Sequence, residues 1–79
     1  MPHDLIQAVA TVIRELRRQH GVTQEQLADA AGLDRTYISG VERAARNITL
    51  DSLEQIVMAL DISLCDFTTL VSKHLQHKR

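Results

Sequence analysis

The chain has 79 residues, enough for one compact core and too few for a second catalytic module. Hydrophobic residues make up 44% of it and aromatic residues only 3%, so the core must be built from Leu, Ile, Val and Ala, which suit packed helices. The formal net charge of -1 argues against a partner held by bulk positive charge, and the single cysteine, Cys65, excludes an internal disulfide.

Charge distribution says more than the sum. Arg14, Arg17 and Arg18 form one basic cluster and Arg35, Arg43 and Arg46 a second, whereas the stretch from Asn47 to Ser72 carries Asp51, Glu54, Asp61 and Asp66 with no Lys or Arg. A molecule with one positive and one negative side is expected. Nothing resembles a secretory signal or a run of about 18 or more apolar residues, so a soluble, cytoplasmic chain is expected, with no membrane partner.

From Leu5, the positions Leu5, Ile6, Val9, Val12, Ile13 and Leu16 repeat at three-to-four spacing and predict an amphipathic helix that stops at Gly21. Thr23 and Gln26 have capping-box spacing, in which the Thr hydroxyl and the Gln amide satisfy backbone groups that a helix start leaves free. A short second helix from Gln24 to Ala31 follows, with Leu27, Ala28 and Ala31 as a slim inner face, Gly32 as a tight turn and Leu33 plugging the bend.

Asp34 suits the N-cap of a third helix, Arg35 to about Arg43, with Ile38 and Val41 inward and Arg35, Thr36 and Ser39 outward. The segment from Ala44 to Ile48 breaks the pattern. Thr49 then caps a fourth helix with Leu50, Leu53, Ile56, Val57 and Leu60 on one stripe, and Ser63 with Asp66 opens a fifth with Leu64, Phe67, Leu70, Val71 and Leu75. No strand-like alternation, repeat or low-complexity linker interrupts this, so the fold class is all-α, five helices in a single domain over 1–79.

Two short helices around a Gly-containing turn of three to four residues, the second presenting polar side chains, are the helix-turn-helix arrangement, here at about 24–43. The major groove of double-stranded DNA admits one α-helix, so residues near the N-terminus of the third helix reach base edges: Arg35, Thr36 and Ser39. Arg offers a two-pronged donor that matches O6 and N7 of guanine, and a Thr methyl can contact thymine. Gly40 would let the helix backbone approach the groove floor, and Gln24, Tyr37, Arg43, Arg46 and Asn47 are candidates for backbone phosphates. For Tyr37, packing of the ring over the core is an equal alternative, and both can hold together.

Other residues have plainer readings. Arg14 and Arg18 read as a solvated charged face, and Cys65 as a small buried or interface hydrophobe. His74 and His77 stand three apart but lack further ligands, so no metal and no cofactor is expected. Paired carboxylates, a nucleophile with its base and a phosphate-cradling Gly loop are all missing, so an enzyme is not expected.

The run GVTQEQLADAAGLDRTYISGVERAARNITLDSLEQIVMAL resembles the Xre family of helix-turn-helix regulators, which includes the phage lambda repressor and Cro. Within it, LDRTYISGVER followed by RNITLDSL is most similar to the controller proteins of restriction-modification systems. The chain departs from the commonest family pattern at Ala44, where Gly is usual, and at Ile48, where Pro is frequent.

The resemblance implies a five-helix lambda-repressor-like fold in which Gln24, Arg35, Thr36, Ser39 and Gly40 line DNA and Arg17 forms a structural ion pair with Glu42. It further implies a bacterial homodimer, joined through the region at about 60–75 by Leu64, Phe67, Leu70 and Val71, that binds an inverted-repeat operator and autoregulates its own operon. Activation would need a patch facing RNA polymerase, for which the acidic side with Asp51, Glu54 and Asp61 is the candidate. A phage or mobile-element repressor and an antitoxin-type interaction module are the alternatives.

Overall fold

The structure, a computed structural model, describes residues 4–77. Its elements are α1 (Asp4–Gln19), α2 (Gln24–Ala31), α3 (Arg35–Glu42), α4 (Leu50–Ala59) and α5 (Leu64–His77), and no strand occurs among the described residues. α2 packs against α3 and α4, and α1 packs against α3 and α5.

Local chemistry explains where most of these helices begin. At α2 the capping box is complete: Gln26 N–H donates to Thr23 Oγ1 at 3.0 Å and Thr23 N–H donates to Gln26 Oε1 at 2.9 Å. Thr49 Oγ1 accepts from Ser52 N–H at 3.0 Å, and Ser63 Oγ accepts from Asp66 N–H at 2.9 Å. Asp34 corrects the expectation at α3. Its backbone is extended, as an N-cap requires, but its exposed carboxylate makes no capping hydrogen bond. What it adds there is negative charge near the positive end of the helix.

The ends of α1 to α4 share one device, a residue in the left-handed region at or just beyond the cap. After α1 and α2 that residue is Gly21 (φ 69°) and Gly32 (φ 72°), where a missing Cβ removes the steric penalty. After α3 and α4 it is Ala44 (φ 57°) and Asp61 (φ 58°). Beyond α3, Ala44 N–H donates to Val41 O at 3.0 Å and Ala45 N–H to Gly40 O at 2.9 Å. This closes the helix in the paired geometry that Gly ordinarily supports, so α3 stops at Glu42, one residue short of the expected Arg43.

Every helix feeds one core, in which Phe67, Ile13, Leu27, Ile38, Ile56, Leu60, Val12 and Val57 are the largest fully enclosed side chains. Phe67 and Val71 are 2% and 6% exposed, which corrects their expected place at a dimer surface: α5, packed on α1 and α4, spends them in the shared core. Leu70 is half-buried against the same core, while Leu64 on α5 and Met58 on α4 stay exposed. Leu5, expected in the inner stripe of α1, is also exposed.

Candidate nucleic-acid interface

α3 has a dry face and a wet one. Ile38 and Val41 are 0% and 3% exposed, locking the helix to the core, while Arg35 and Thr36 stand exposed and Ser39 half-exposed. Inward positions 38, 41 and 42 and outward positions 35, 36 and 39 follow from the helical repeat. The outer face therefore offers a guanidinium and two hydroxyls close to its N-terminal end, the pattern a groove-reading helix needs.

The rear of α3 is anchored on Glu42, a carboxylate only 3% exposed. Arg17 Nε donates to Glu42 Oε2 at 2.6 Å and Arg17 Nη2 to Oε1 at 3.0 Å, a two-pronged pair joining α1 to α3. Arg17 Nη1 also donates to Val22 O at 2.9 Å, and Gln24 Nε2 donates to Glu42 Oε1 at 3.1 Å. Arg14 is no solvated surface residue: it is half-buried, and its Nη1 donates to the Glu42 carbonyl at 3.0 Å, satisfying an end-of-helix acceptor. Its neighbour Arg18 is exposed, as expected.

Gly40 corrects a second expectation. It is buried, and a Cβ added to it would lie 2.8 Å from Arg46 Cγ and 3.3 Å from Arg46 Nε. The missing side chain thus makes room for Arg46 from the following loop. From there the Arg46 guanidinium carbon sits 5.1 Å from the centre of the Tyr37 ring, a cation–π contact. Tyr37 itself is half-buried against the core and its hydroxyl is enclosed without a hydrogen-bond partner among the described residues. Sequence reasoning named Gly40, Arg46 and Tyr37 separately and missed that they form one stack, because the loop between α3 and α4 has no periodic signal.

Arg43 and Asn47 are exposed, the former donating from Nε to Ser39 O at 3.3 Å. Cys65 is exposed on α5, not buried. His74 Nε2 lies 3.3 Å from Glu15 Oε1, bridging α5 and α1. Among the described residues no three metal-binding side chains gather, and no single helix is long and apolar enough to cross a membrane. The side chain of His77 lies outside the described residues.

Two short helices held at a Gly32 turn, with a polar outer face on the second, define a helix-turn-helix protein, and the family model described as helix-turn-helix matches residues 13–67. Control protein C.SmaI of Serratia marcescens is 43% identical over 61 residues, covering 77% of this chain and 73% of that protein. Control protein C.BamHI of Bacillus amyloliquefaciens is 44% identical over 62 residues, covering 73% of this chain and 76% of that protein. The crystal structure of the restriction-modification controller protein C.Esp1396I, a tetramer in complex with its natural 35 base-pair operator, matches with a TM-score of 0.87 at 44% identity, covering 91% of this chain and 95% of that one. The chain belongs to the helix-turn-helix family, in its branch of restriction-modification controller proteins.

Proposed function

We propose that this protein is a transcriptional controller that binds an inverted-repeat operator as a homodimer and regulates the operon of a restriction-modification system, its own gene included. It works in the cytoplasm and acts by binding, not by catalysis. The observation that carries this reading is the outer face of α3, where Arg35, Thr36 and Ser39 project from a helix whose other face is sealed into the core. Arg35 reads guanine O6 and N7, Thr36 supplies a methyl and a hydroxyl, and Ser39 bonds to either strand.

Gln24, Arg43, Arg46 and Asn47 hold the phosphates on either side of the groove and set the register, while Tyr37, its hydroxyl enclosed, serves as the ring on which Arg46 rests. Because Phe67 and Val71 are consumed inside the chain, the dimer contact falls to the exposed Leu64 and half-buried Leu70 of α5 and the exposed Met58 of α4. RNA polymerase is a partner only if the bound dimer activates, and charge reversal at Asp51, Glu54 and Asp61 in a reporter assay separates that case from repression.

Selection of bound duplexes from a random DNA pool tests the reading, run in parallel with wild type and Arg35→Ala. Enrichment of an inverted repeat by wild type, with the guanine preference gone in the variant, is the expected result. Enrichment of the same repeat by both proteins would remove Arg35 from base readout, and enrichment by neither would sink the operator reading altogether.

A further inference from the structure

Glu42 holds more than its ion pair. Its Oε1 accepts from Arg17 Nη2 at 3.0 Å and from Gln24 Nε2 at 3.1 Å, so the first residue of α2 is tied to the last residue of α3. A carboxylate only accepts hydrogen bonds, so the Gln24 amide must present its nitrogen to Glu42, and its orientation follows from chemistry. That nitrogen carries two N–H groups. One is spent on Glu42; the other diverges from it by the trigonal geometry of the amide and remains free for a second acceptor.

We infer that Glu42 is a positioning residue for DNA binding: by holding one N–H of the Gln24 amide it keeps the other aimed outward as a phosphate donor. This rests on the reading of Gln24 as a backbone contact given above. Arg17 neutralises the carboxylate, so Glu42 sits behind the phosphate-binding edge without repelling it. The same link couples the entry of α2 to the end of α3, so the phosphate donor and the groove-reading helix move as one body.

Replacing Glu42 by Gln exposes the device. Glutamine has one acceptor where Arg17 and Gln24 together need two. If its oxygen stays with Arg17 Nε, its NH2 faces Gln24, and the Gln24 amide turns over to offer its own oxygen. The donor that had pointed at phosphate is then displaced.

The test is affinity for a duplex carrying the repeat enriched by wild type, measured at one fixed salt concentration for wild type, Gln24→Ala, Glu42→Gln and the double variant. The Gln24 amide is neutral and releases no counterion, so its loss shows in affinity while the log–log salt slope stays at its wild-type value. The inference expects an affinity loss of about tenfold, that of one hydrogen bond to a charged group, in Gln24→Ala and the same loss in Glu42→Gln, with no further loss in the double variant. Losses that add, or wild-type affinity in Glu42→Gln, would show that Glu42 does not act through Gln24 and overturn it. Wild-type affinity in Gln24→Ala overturns the phosphate role of Gln24 and the inference with it, while wild type binding no duplex at any salt is the separate failure of the operator reading.

Because Glu42→Gln could fail to fold, the wild-type protein supplies a second readout, solvent exchange of the two Gln24 side-chain amide protons by nuclear magnetic resonance. One slow proton in the free protein and two in the complex are expected. Two fast protons in the free protein would mean that Glu42 holds nothing.

Discussion

At the start of α3, the exposed side chains of Arg35 and Thr36 bond to nothing else among the described residues, whereas at its end Glu42 is 3% exposed and binds Arg17 twice, Gln24 once and Arg14 through its carbonyl. One end of the same helix is left loose and the other is held by α1 and α2. The loose end can change its side chains, and so its target sequence, with little effect on folding. The anchored end sets the angle at which the loose end is offered, and substitutions there act on the whole domain.

The strongest way to break this contrast is Arg17→Ala. It leaves the Glu42 carboxylate buried with its principal partner gone, a change that destabilises by about 3 to 5 kcal/mol where the pair is enclosed. With the Arg17 side chain only 13% exposed, the pair belongs to that class and not to the surface pairs that contribute about 1 kcal/mol or less. Urea unfolding checks it, and a loss under about 1 kcal/mol would mean that the anchor is ornamental.

Arg35→Ala probes the other end. Stability should stay within about 0.5 kcal/mol of wild type, since the exposed side chain has no partner among the described residues to lose. DNA affinity should fall by about 1 to 3 kcal/mol, with discrimination relaxed at a single base pair. Parallel unfolding and binding curves make the comparison, and an equal effect on both would erase the distinction between the two ends.

A smaller effect is expected just past the anchored end. Ala44 holds φ at 57°, a conformation that disfavours a residue with a Cβ by about 1 to 2 kcal/mol. Ala44→Gly relieves that strain but adds freedom to the unfolded chain, leaving a net gain of about 1 kcal/mol in a urea titration. Asp61→Gly, at the equivalent turn after α4, should gain less, because Asp tolerates the left-handed region better than Ala.

The sequence revealed much of the fold because its signals are local. Thr23 and Gln26 stand three residues apart, so the start of α2 could be read from their types alone, and the apolar spacing of Val9, Val12, Ile13 and Leu16 marked the inner face of α1. Asp34 shows the limit even there, since residue type favours a cap but the carboxylate stays in solvent. Periodicity told that Phe67 and Val71 lie on an apolar face without telling what covers it, which is the core of the same chain. The bond from Gln24 to Glu42 spans 18 positions and that from Arg14 to Glu42 spans 28, separations at which no short motif carries a signal.

Gly40, in the last turn of α3 and two residues before the anchored Glu42, gives the finest test of where looseness gives way to anchoring. Replacing a mid-helix Gly by Ala ordinarily stabilises by about 0.5 to 1 kcal/mol. Here the new Cβ would fall 2.8 Å from Arg46 Cγ, so Arg46 must leave its seat. Since Arg46 is exposed, it can swing into solvent, and what it forfeits is the stack on Tyr37, about 0.5 to 1 kcal/mol at such a site. Opposed terms of similar size predict a net change near zero. In an Arg46→Ala background the collision and the stack are both absent, so the same Gly40→Ala substitution should show its full helical gain in a urea titration. An equal gain in the two backgrounds would mean that Arg46 does not rest on Gly40 in solution, and that this last turn of α3 belongs with its loose end.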